Sequence, residues 1–334
     1  MNAPVVVDAG SSWCRSGRAG DSEPCNEFST AANGSTSPIE RGIVTNWDAM
    51  ETLWQRVFSE LNTSPEDQPV LLTDGPSSPK AHREKMTEIM FESCKSPAMH
   101  VATRTVLALY ACGRTTGLVI ESGDGVTHTV SIHEGFAIPN AIGRLELAGR
   151  DITEYMAKIL AENGIEQAKD IACDVKEQKS YVAMDFNTEK EKGKETKIKY
   201  SLPDGKSVEI GEELFSCPEA LFQPSLLGME SSVGIQRLAF DSIKKCESGI
   251  HEQLFSTLVP AGGSTQFPGF DERLRKEISA LASPATVTKI FAMPWRRRAA
   301  WIGGSIVASL LEDKWIKKAE YDETGPSIVH TKCA

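Results

Sequence analysis

Two segments of the chain place an acidic residue and glycines directly after an apolar run. VVV (5–7) precedes DAGS (8–11), and LVI (118–120) precedes ESGDG (121–125). A glycine turn after a buried strand exposes backbone N–H groups in a concave nest that can hold phosphate oxygens. Either segment alone predicts only a tight hairpin turn. Two matched copies favour facing nests that clamp a polyphosphate from both sides.

Acidic residues lie in both segments. Asp8, Glu121 and Asp124 could hold a hydrated divalent cation beside such a polyphosphate. A second strand is predicted after each turn, over residues 13–17 and 126–132. Two hairpins of one design predict a duplicated α/β unit with a cleft between its halves.

A third glycine-rich segment, VPAGGST (259–265), precedes a predicted helix over 270–281. Positions without side chains would let a flat base or a phosphate approach the backbone there. Nucleotide binding and simple close packing explain this segment equally well. The basic run WRRR (295–298) is predicted to be a solvated face unless the fold places it near a bound nucleotide.

Strands and helices alternate around these turns. Asn46 can cap a helix that runs to Leu61, with apolar residues at helical spacing. A buried strand is predicted over 69–76 and another helix over 79–94. This alternation is typical of an α/β sheet. The segment 187–199 is rich in Glu and Lys and is predicted to be a solvated loop with no chemistry.

Composition limits the function classes. The 334 residues have a formal net charge of −10, and 40% are apolar. The length predicts two domains or one large domain, and it excludes a small fold that depends on disulfides or metal ions for its stability. The acidic balance disfavours nucleic-acid binding. The longest apolar stretch, 301–311, is too short to span a bilayer, so no membrane insertion is expected.

The cysteines and the amino-terminal residues indicate a compartment. Eight cysteines occur without CxxC spacing, which favours buried or free thiols in a reducing compartment. His128 and His133 should point to opposite faces of a strand, so they are not expected to form a metal pair. The first ten residues lack the features of a secretory signal. We therefore expect a cytoplasmic protein.

Long stretches of the chain resemble the actin family. The matching runs are GIVTNWDAME (42–51), HREKMTEIMFE (82–92), GRTTGLVIESGDGVTHTV (113–130), LAGRDIT (147–153), CPEALFQPSLLGMES (217–231), WIGGSIVASL (301–310) and EYDETGPSIVH (320–330). They extend almost from end to end of the chain. The sugar kinase and heat-shock ATPase folds share only the sparse phosphate pattern.

The resemblance implies an α/β, actin-like ATPase fold with two duplicated α/β domains around a nucleotide cleft. The first domain would comprise residues 1–111 and 299–334, truncated near 27–41. The second would comprise residues 112–298, with an outer subdomain at about 150–240. The implied cofactors are ATP or ADP with Mg²⁺ or Ca²⁺.

The resemblance also implies a set of site residues. Those matching nucleotide contacts are Asp8, Gly10, Ser11, Ser12, Trp13, Arg15, Gly123, Asp124, Gly125, Val126, Gly149, Lys176, Glu177, Gly262, Gly263, Ser264, Phe267 and Arg297. The cation would be held by Asp8, Glu121 and Asp124, through water. Phe267 replaces the usual Tyr of the family. Arg15 and Arg297 replace Lys, which keeps the charge but changes the contact geometry.

Two departures concern hydrolysis. Arg104 aligns with the family's glutamine that orients the attacking water, and a guanidinium cannot accept a hydrogen bond. Glu121 replaces an aspartate near the metal, whereas His128, which helps to order the water, is kept. We expect nucleotide binding to survive and the usual hydrolysis to be impaired. Arg104 could alternatively stabilise phosphate charge as an arginine finger does.

Other departures concern assembly. ANGSTSPIERG (32–42) replaces a segment that is longer by about thirty residues in the family, so the small subdomain that grips the next filament subunit would be missing. Arg41 replaces a commonly modified histidine. SSVGIQRLAF (231–240) carries a one-residue insertion in a loop that contacts the opposite strand, and Ala334 replaces a final Phe.

Three functions remain open at this stage. The leading hypothesis is a cytoskeletal ATP-binding protein that self-associates into a non-standard polymer with weak or altered hydrolysis. The alternative is a monomeric or complex-bound scaffold or cap. A small-molecule kinase is a third, although no acceptor site with a catalytic carboxylate is marked. Profilin-like partners could bind around Tyr110, Lys245 and Lys332.

Overall fold

The computed structural model describes residues 3–31, 37–165, 168–192, 197–202, 205 and 207–333. Fourteen strands lie in this part of the chain. They are β1 (Val5–Ala9), β2 (Trp13–Arg18), β3 (Asn26–Ser29), β4 (Ile39–Glu40), β5 (Ile43–Val44), β6 (Val70–Asp74), β7 (Ala98–Thr103), β8 (Gly117–Ser122), β9 (Thr127–His133), β10 (Phe136–Leu145), β11 (Ile198–Ser201), β12 (Ser207–Ile210), β13 (Leu258–Ala261) and β14 (Ile316–Lys317).

Thirteen α-helices lie among the same residues. They are α1 (Trp47–Glu60), α2 (Lys80–Glu88), α3 (Arg104–Ala111), α4 (Gly149–Glu162), α5 (Ala168–Lys179), α6 (Phe186–Lys192), α7 (Glu213–Glu219), α8 (Ile235–Lys244), α9 (His251–Phe255), α10 (Phe270–Leu281), α11 (Ala299–Ala308), α12 (Lys318–Thr324) and α13 (Val329–Lys332).

Two sheets repeat one arrangement. The first has the order β14-β7-β6-β1-β2-β3, and the second has the order β10-β9-β8-β13. In each, the first strand of an antiparallel three-stranded meander also pairs with a parallel strand, β6 beside β1 and β13 beside β8. Asp8 pairs with Arg15 in one hairpin, and Glu121 pairs with His128 in the other. The predicted duplication is confirmed, and the whole is an actin-like two-domain α/β fold.

Two helices lie between the sheets. Leu107 of α3 and Trp301 of α11 pack on Val6 and Leu71 of the first sheet. Other residues of the same helices, among them Ala108, share a cluster with the apolar strands of the second sheet. These helices therefore form the common floor of the two halves. The predicted domain boundaries at 111 and 299 adjoin them and stay predictions.

Local sequence patterns correctly placed several elements. Asn46 caps α1, and its Oδ1 accepts a hydrogen bond from Ala49 N at 3.0 Å. The strand expected over 69–76 is β6, and the helix expected over 270–281 is α10. The helix expected over 79–94 consists of α2 and a π-helical turn at Ile89–Ser93.

The expectation of a loop over 187–199 is wrong for most of that segment. It contains most of α6 and the start of β11, whereas residues 193–196 lie outside the described residues. The Phe186 ring packs against Phe215 at 5.9 Å between centroids. The Tyr181 hydroxyl donates to Glu189 at 2.8 Å. These tertiary contacts stabilise a helix that a charge-rich composition does not reveal.

All eight cysteines are free thiols, as the sequence indicated. Cys14, Cys94, Cys217 and Cys333 are buried. Within the residues described, no helix combines the length and the apolar character that crossing a membrane would require.

The crossing of α3 and α11 depends on one glycine. A Cβ atom on Gly303 would lie 1.8 Å from the carbonyl oxygen of Leu107, far inside van der Waals contact. The two helix backbones therefore approach more closely than any side chain at position 303 would allow.

We predict that Gly303→Ala lowers the free energy of unfolding by about 2 kcal/mol, because the helices must separate to admit the methyl group. Urea denaturation measures the change. Gly249→Ala is a matched control, since a Cβ there meets nothing within 4 Å. Equal stability of parent and Gly303→Ala would contradict the close crossing.

Candidate functional site

A cleft of about 460 Å³ lies where the two hairpin turns meet. It is lined by every residue that the family resemblance implies for nucleotide contact, and by Arg104 and Glu121. The implied contacts that line it are Asp8, Gly10, Ser11, Ser12, Trp13, Arg15, Gly123, Asp124, Gly125, Val126, Gly149, Lys176, Glu177, Gly262, Gly263, Ser264, Phe267 and Arg297. Residues from distant parts of the chain thus share one concave surface.

The two glycine turns form opposite walls. Gly10 N donates to Trp13 O at 2.9 Å, and Gly123 N donates to Val126 O at 3.3 Å, which closes each hairpin. A Cβ on Gly125 would lie 2.8 Å from Ser11 Oγ, so the turns come into direct contact at this point. The tight approach explains why a glycine is needed in the second turn.

The glycine-rich segment after β13 joins the second turn. Ser264 Oγ donates to Gly123 O at 2.6 Å, and Gly149 N donates to the same oxygen at 3.0 Å. Lys176 is buried, and its Nζ donates to Gly149 O at 3.2 Å and to Thr153 Oγ1 at 2.8 Å. Of the two explanations left open for this segment, its position favours a binding surface.

The acidic residues of both turns already have basic partners. Arg104 Nε lies 3.1 Å from Asp8 Oδ1 and 3.7 Å from Glu121 Oε1. Asp124 Oδ2 lies 3.0 Å from Arg150 Nη2. Burial raises the pKa of Glu121 to about 6, although Arg104 lowers it in part. One guanidinium therefore lies between an acid of each half.

A divalent cation does not fit this donor set as it is arranged. Among the described residues, no group of three or more His, Cys, Asp or Glu side chains is placed to hold a metal ion. The carboxylates expected to do so are those paired with arginines. Metal binding by Asp8, Glu121 and Asp124 stays a prediction from the resemblance.

Three arginines meet one carboxylate at the rim of the cleft. Glu27 lies 2.8 Å from Arg15, 3.2 Å from Arg297 and 3.1 Å from Arg298, measured between side-chain nitrogen and oxygen. Burial alone would raise the pKa of Glu27, but the arginines lower it below its ordinary value. The Arg297 guanidinium also lies 5.1 Å from the centre of a Trp13 ring. This cluster is the positive side of the cleft.

The fold brings Arg296 and Arg297 of the basic run to the cleft, which is the exception allowed for in the expectation of a solvated face over 295–298. Both line the cleft. Arg296 Nη2 donates to Thr265 O at 2.7 Å and lies 3.3 Å from Asp271 Oδ2. The sequence shows that this run is positively charged. It does not show which distant carboxylates pair with the arginines in the fold.

Comparison with known protein families agrees with this arrangement. A family model described as Actin matches residues 26–168 and 165–334. The chain belongs to the actin family. It is accordingly an actin-like, nucleotide-binding protein. The first turn, at residues 8–11, lies outside the matched range, so its place in the site comes from the geometry.

Sequence reasoning missed some lining residues of this actin-family cleft. They are Gly42, Ala108, Thr153, Cys173, Ala261, Gln266, Arg296 and Ala300. Helical spacing could have found two of them, because Thr153 is four residues after Gly149 and Cys173 is three before Lys176. Gly42 gives no local signal, since it reaches the first turn only in the fold, where its N donates to Ser11 Oγ at 3.1 Å.

A bridge between the halves of the actin-like fold was also missed. Arg41 follows β4, and its Nη2 donates to Asp151 Oδ1 at 2.7 Å. Its Nη1 donates to Gly125 O at 3.0 Å and to Glu146 O at 2.9 Å. Arg144 Nη2 donates back to Arg41 O at 3.0 Å. This Arg41 bridge holds the second turn against the first half.

His128 is the one implied site residue that does not line the cleft of this actin-family chain. It is 3% exposed, and its Nε2 lies 3.4 Å from Arg144 Nη1. Burial, with the charges of Arg144 and Arg104, lowers its pKa to about 3. The imidazole is therefore neutral near pH 7. Its role in ordering water stays a prediction.

The depressed pKa of His128 predicts acid sensitivity. The unfolded chain binds a proton near pH 6.5 and the folded chain only near pH 3, so stability is lost as the pH falls below 6.5. At pH 5 this loss is about 2 kcal/mol. We expect the His128→Gln variant not to show this loss. The difference in free energy of unfolding between the parent and the variant should therefore change by about 2 kcal/mol between pH 7 and pH 5. A constant difference in urea denaturation would contradict the assignment.

Proposed function

We propose that this actin-family protein binds ATP or ADP between its two glycine turns, hydrolyses ATP weakly or in an altered way, and self-associates into a non-standard polymer. The observation that supports nucleotide binding most strongly is the convergence of both turns and the segment 262–264 on one cleft. Its volume of about 460 Å³ lies in the range of small-molecule sites. A cytoplasmic, cytoskeletal role is part of the proposal.

Weak hydrolysis follows from the chemistry of Arg104. Its guanidinium has only donors, and it is held by Asp8 and by Ala9 O, which accepts from Nη2 at 2.6 Å. It cannot accept a hydrogen bond from an attacking water, as a glutamine oxygen can. The nucleotide would therefore persist longer as ATP.

Self-association of a different kind follows from what lies beside the cleft. The chain passes from β3 to β4 through residues 30–38, of which 32–36 lie outside the described residues. The deletion inferred there stays a proposal. Ile306 of α11 and Leu310, two residues after that helix, are 41% and 71% exposed and offer apolar surface. Tyr110 of α3 packs in the same cluster as Val307 of α11. A scaffold or cap without polymerisation is the alternative, and a profilin-like partner could use the same region.

We predict that Gly263→Leu weakens ATP binding at least about tenfold. Gly263 lines the cleft, and a Cβ there meets nothing within 4 Å, so the added side chain can enter open space without disturbing the fold. Titration calorimetry measures the affinity. Gly249→Leu is the matched control, because Gly249 also lies in a 3₁₀ turn with open space around it. Unchanged affinity in Gly263→Leu would place the nucleotide elsewhere.

We predict that Arg104→Gln raises phosphate release from ATP in the presence of Mg²⁺, by up to about a hundredfold, because it restores an acceptor for the attacking water. Arg104→Met removes the charge without adding an acceptor and should stay slow. A single-turnover phosphate assay compares the three proteins. If Arg104→Gln is slower than the parent, Arg104 acts as an arginine finger instead.

We predict that the protein does not form the two-stranded helical filament of actin, because the segment that would grip the longitudinal neighbour is replaced by a short connection. Loss of a central contact usually removes most of an interface's energy. Electron microscopy with ATP and Mg²⁺ is the test. Ribbons, sheets or tubes support a non-standard polymer, the absence of polymer supports the scaffold or cap, and filaments with actin's twist and spacing contradict both.

A further inference from the structure

Each carboxylate expected to hold a cation is paired with an arginine of the protein itself. Asp8 and Glu121 share Arg104, and Asp124 pairs with Arg150. Asp8 is the most fully engaged. Its Oδ1 accepts hydrogen bonds from Thr73 Oγ1 at 2.8 Å and from Arg104 Nε at 3.1 Å. Its Oδ2 lies 3.6 Å from Arg15 Nη1. Coordination of a metal ion by Asp8 Oδ1 would therefore compete with two donors of the protein itself.

The Arg104 guanidinium is fixed and still able to bind an anion. Its Nε lies between carboxylates of the two halves, and its Nη2 donates to Ala9 O. The Nη1 atom has no hydrogen-bond partner among the described residues. The side chain is 16% exposed and lines the cleft between the turns. A positive charge with free N–H donors therefore adjoins the surface where phosphate would lie.

We infer that the Arg104 guanidinium takes the place of a divalent cation, so that this chain binds nucleoside triphosphate without metal. The inference rests on the proposed nucleotide function. A guanidinium offsets carboxylate charge and binds phosphate oxygens by donating hydrogen bonds to them, whereas a metal ion would do both by accepting oxygen lone pairs.

A divalent cation and Arg104 would compete for one position. A metal ion between Asp8 and Glu121 would lie within a few ångströms of the guanidinium, and like charges at such a distance repel strongly in a partly buried site. Arg104 is anchored by three contacts and begins α3, which is packed between the sheets. Displacing it would break those contacts.

The test compares affinity for a non-hydrolysable ATP analogue in Mg²⁺ and in EDTA, by titration calorimetry on the full chain. We expect the two dissociation constants of the parent to agree within about threefold. In Arg104→Gln, which frees both carboxylates, EDTA should weaken binding by about tenfold or more relative to Mg²⁺. Arg297→Gln is the matched control, because it removes another cleft arginine and should leave the ratio of the two constants unchanged.

The outcomes separate the two proposals. A parent that binds the analogue in Mg²⁺ but loses about tenfold or more of its affinity in EDTA overturns the inference and leaves the nucleotide function intact. A parent that binds in neither condition overturns the nucleotide function. Because the parent comparison needs no substitution, the inference stays testable even if Arg104→Gln fails to fold. Binding of Mn²⁺ alone by the parent, seen by electron paramagnetic resonance as loss of the free-ion signal and reversed by Asp8→Ala, would also overturn it.

Discussion

The Arg104 guanidinium lies between Asp8 and Glu121, the corresponding acids of the two duplicated halves. Without it, only Arg15, 3.6 Å from Asp8 Oδ2, would offset the charge of these two largely buried carboxylates. Arg104 is also the first residue of α3, the helix that packs with α11 between both sheets. The residue that balances the acidic charges of the site thus belongs to the helix pair that joins the two halves.

A second arginine also links the two halves. Arg41 donates to Gly125 and Asp151 of the other half, while Gly42 N bonds Ser11 of the first turn. The helices α3 and α11 and the Arg41 bridge thus both connect the two halves that carry the turns. Relative motion of the halves would have to break the Arg41 contacts, which are made by a side chain that is 42% exposed.

Local patterns in the sequence predicted the elements better than the contacts between them. The two hairpins, the cap at Asn46 and the strand β6 were recognisable because the signals lie within a few residues of one another. The helix α6 and the cleft position of Arg296 were not, since distant partners decide both. Arg104 shows the limit most clearly. Its identity revealed the loss of an acceptor, but only the fold shows that its charge fills the space between two acids.

The most direct measurement is a crystal structure with a non-hydrolysable ATP analogue and Mn²⁺, with diffraction data collected at the manganese absorption edge. We expect the analogue between the two turns, a phosphate oxygen at hydrogen-bond distance from Arg104 Nη1, and no anomalous peak between Asp8 and Glu121. A manganese peak between those carboxylates, with Arg104 turned away from them, would contradict the account.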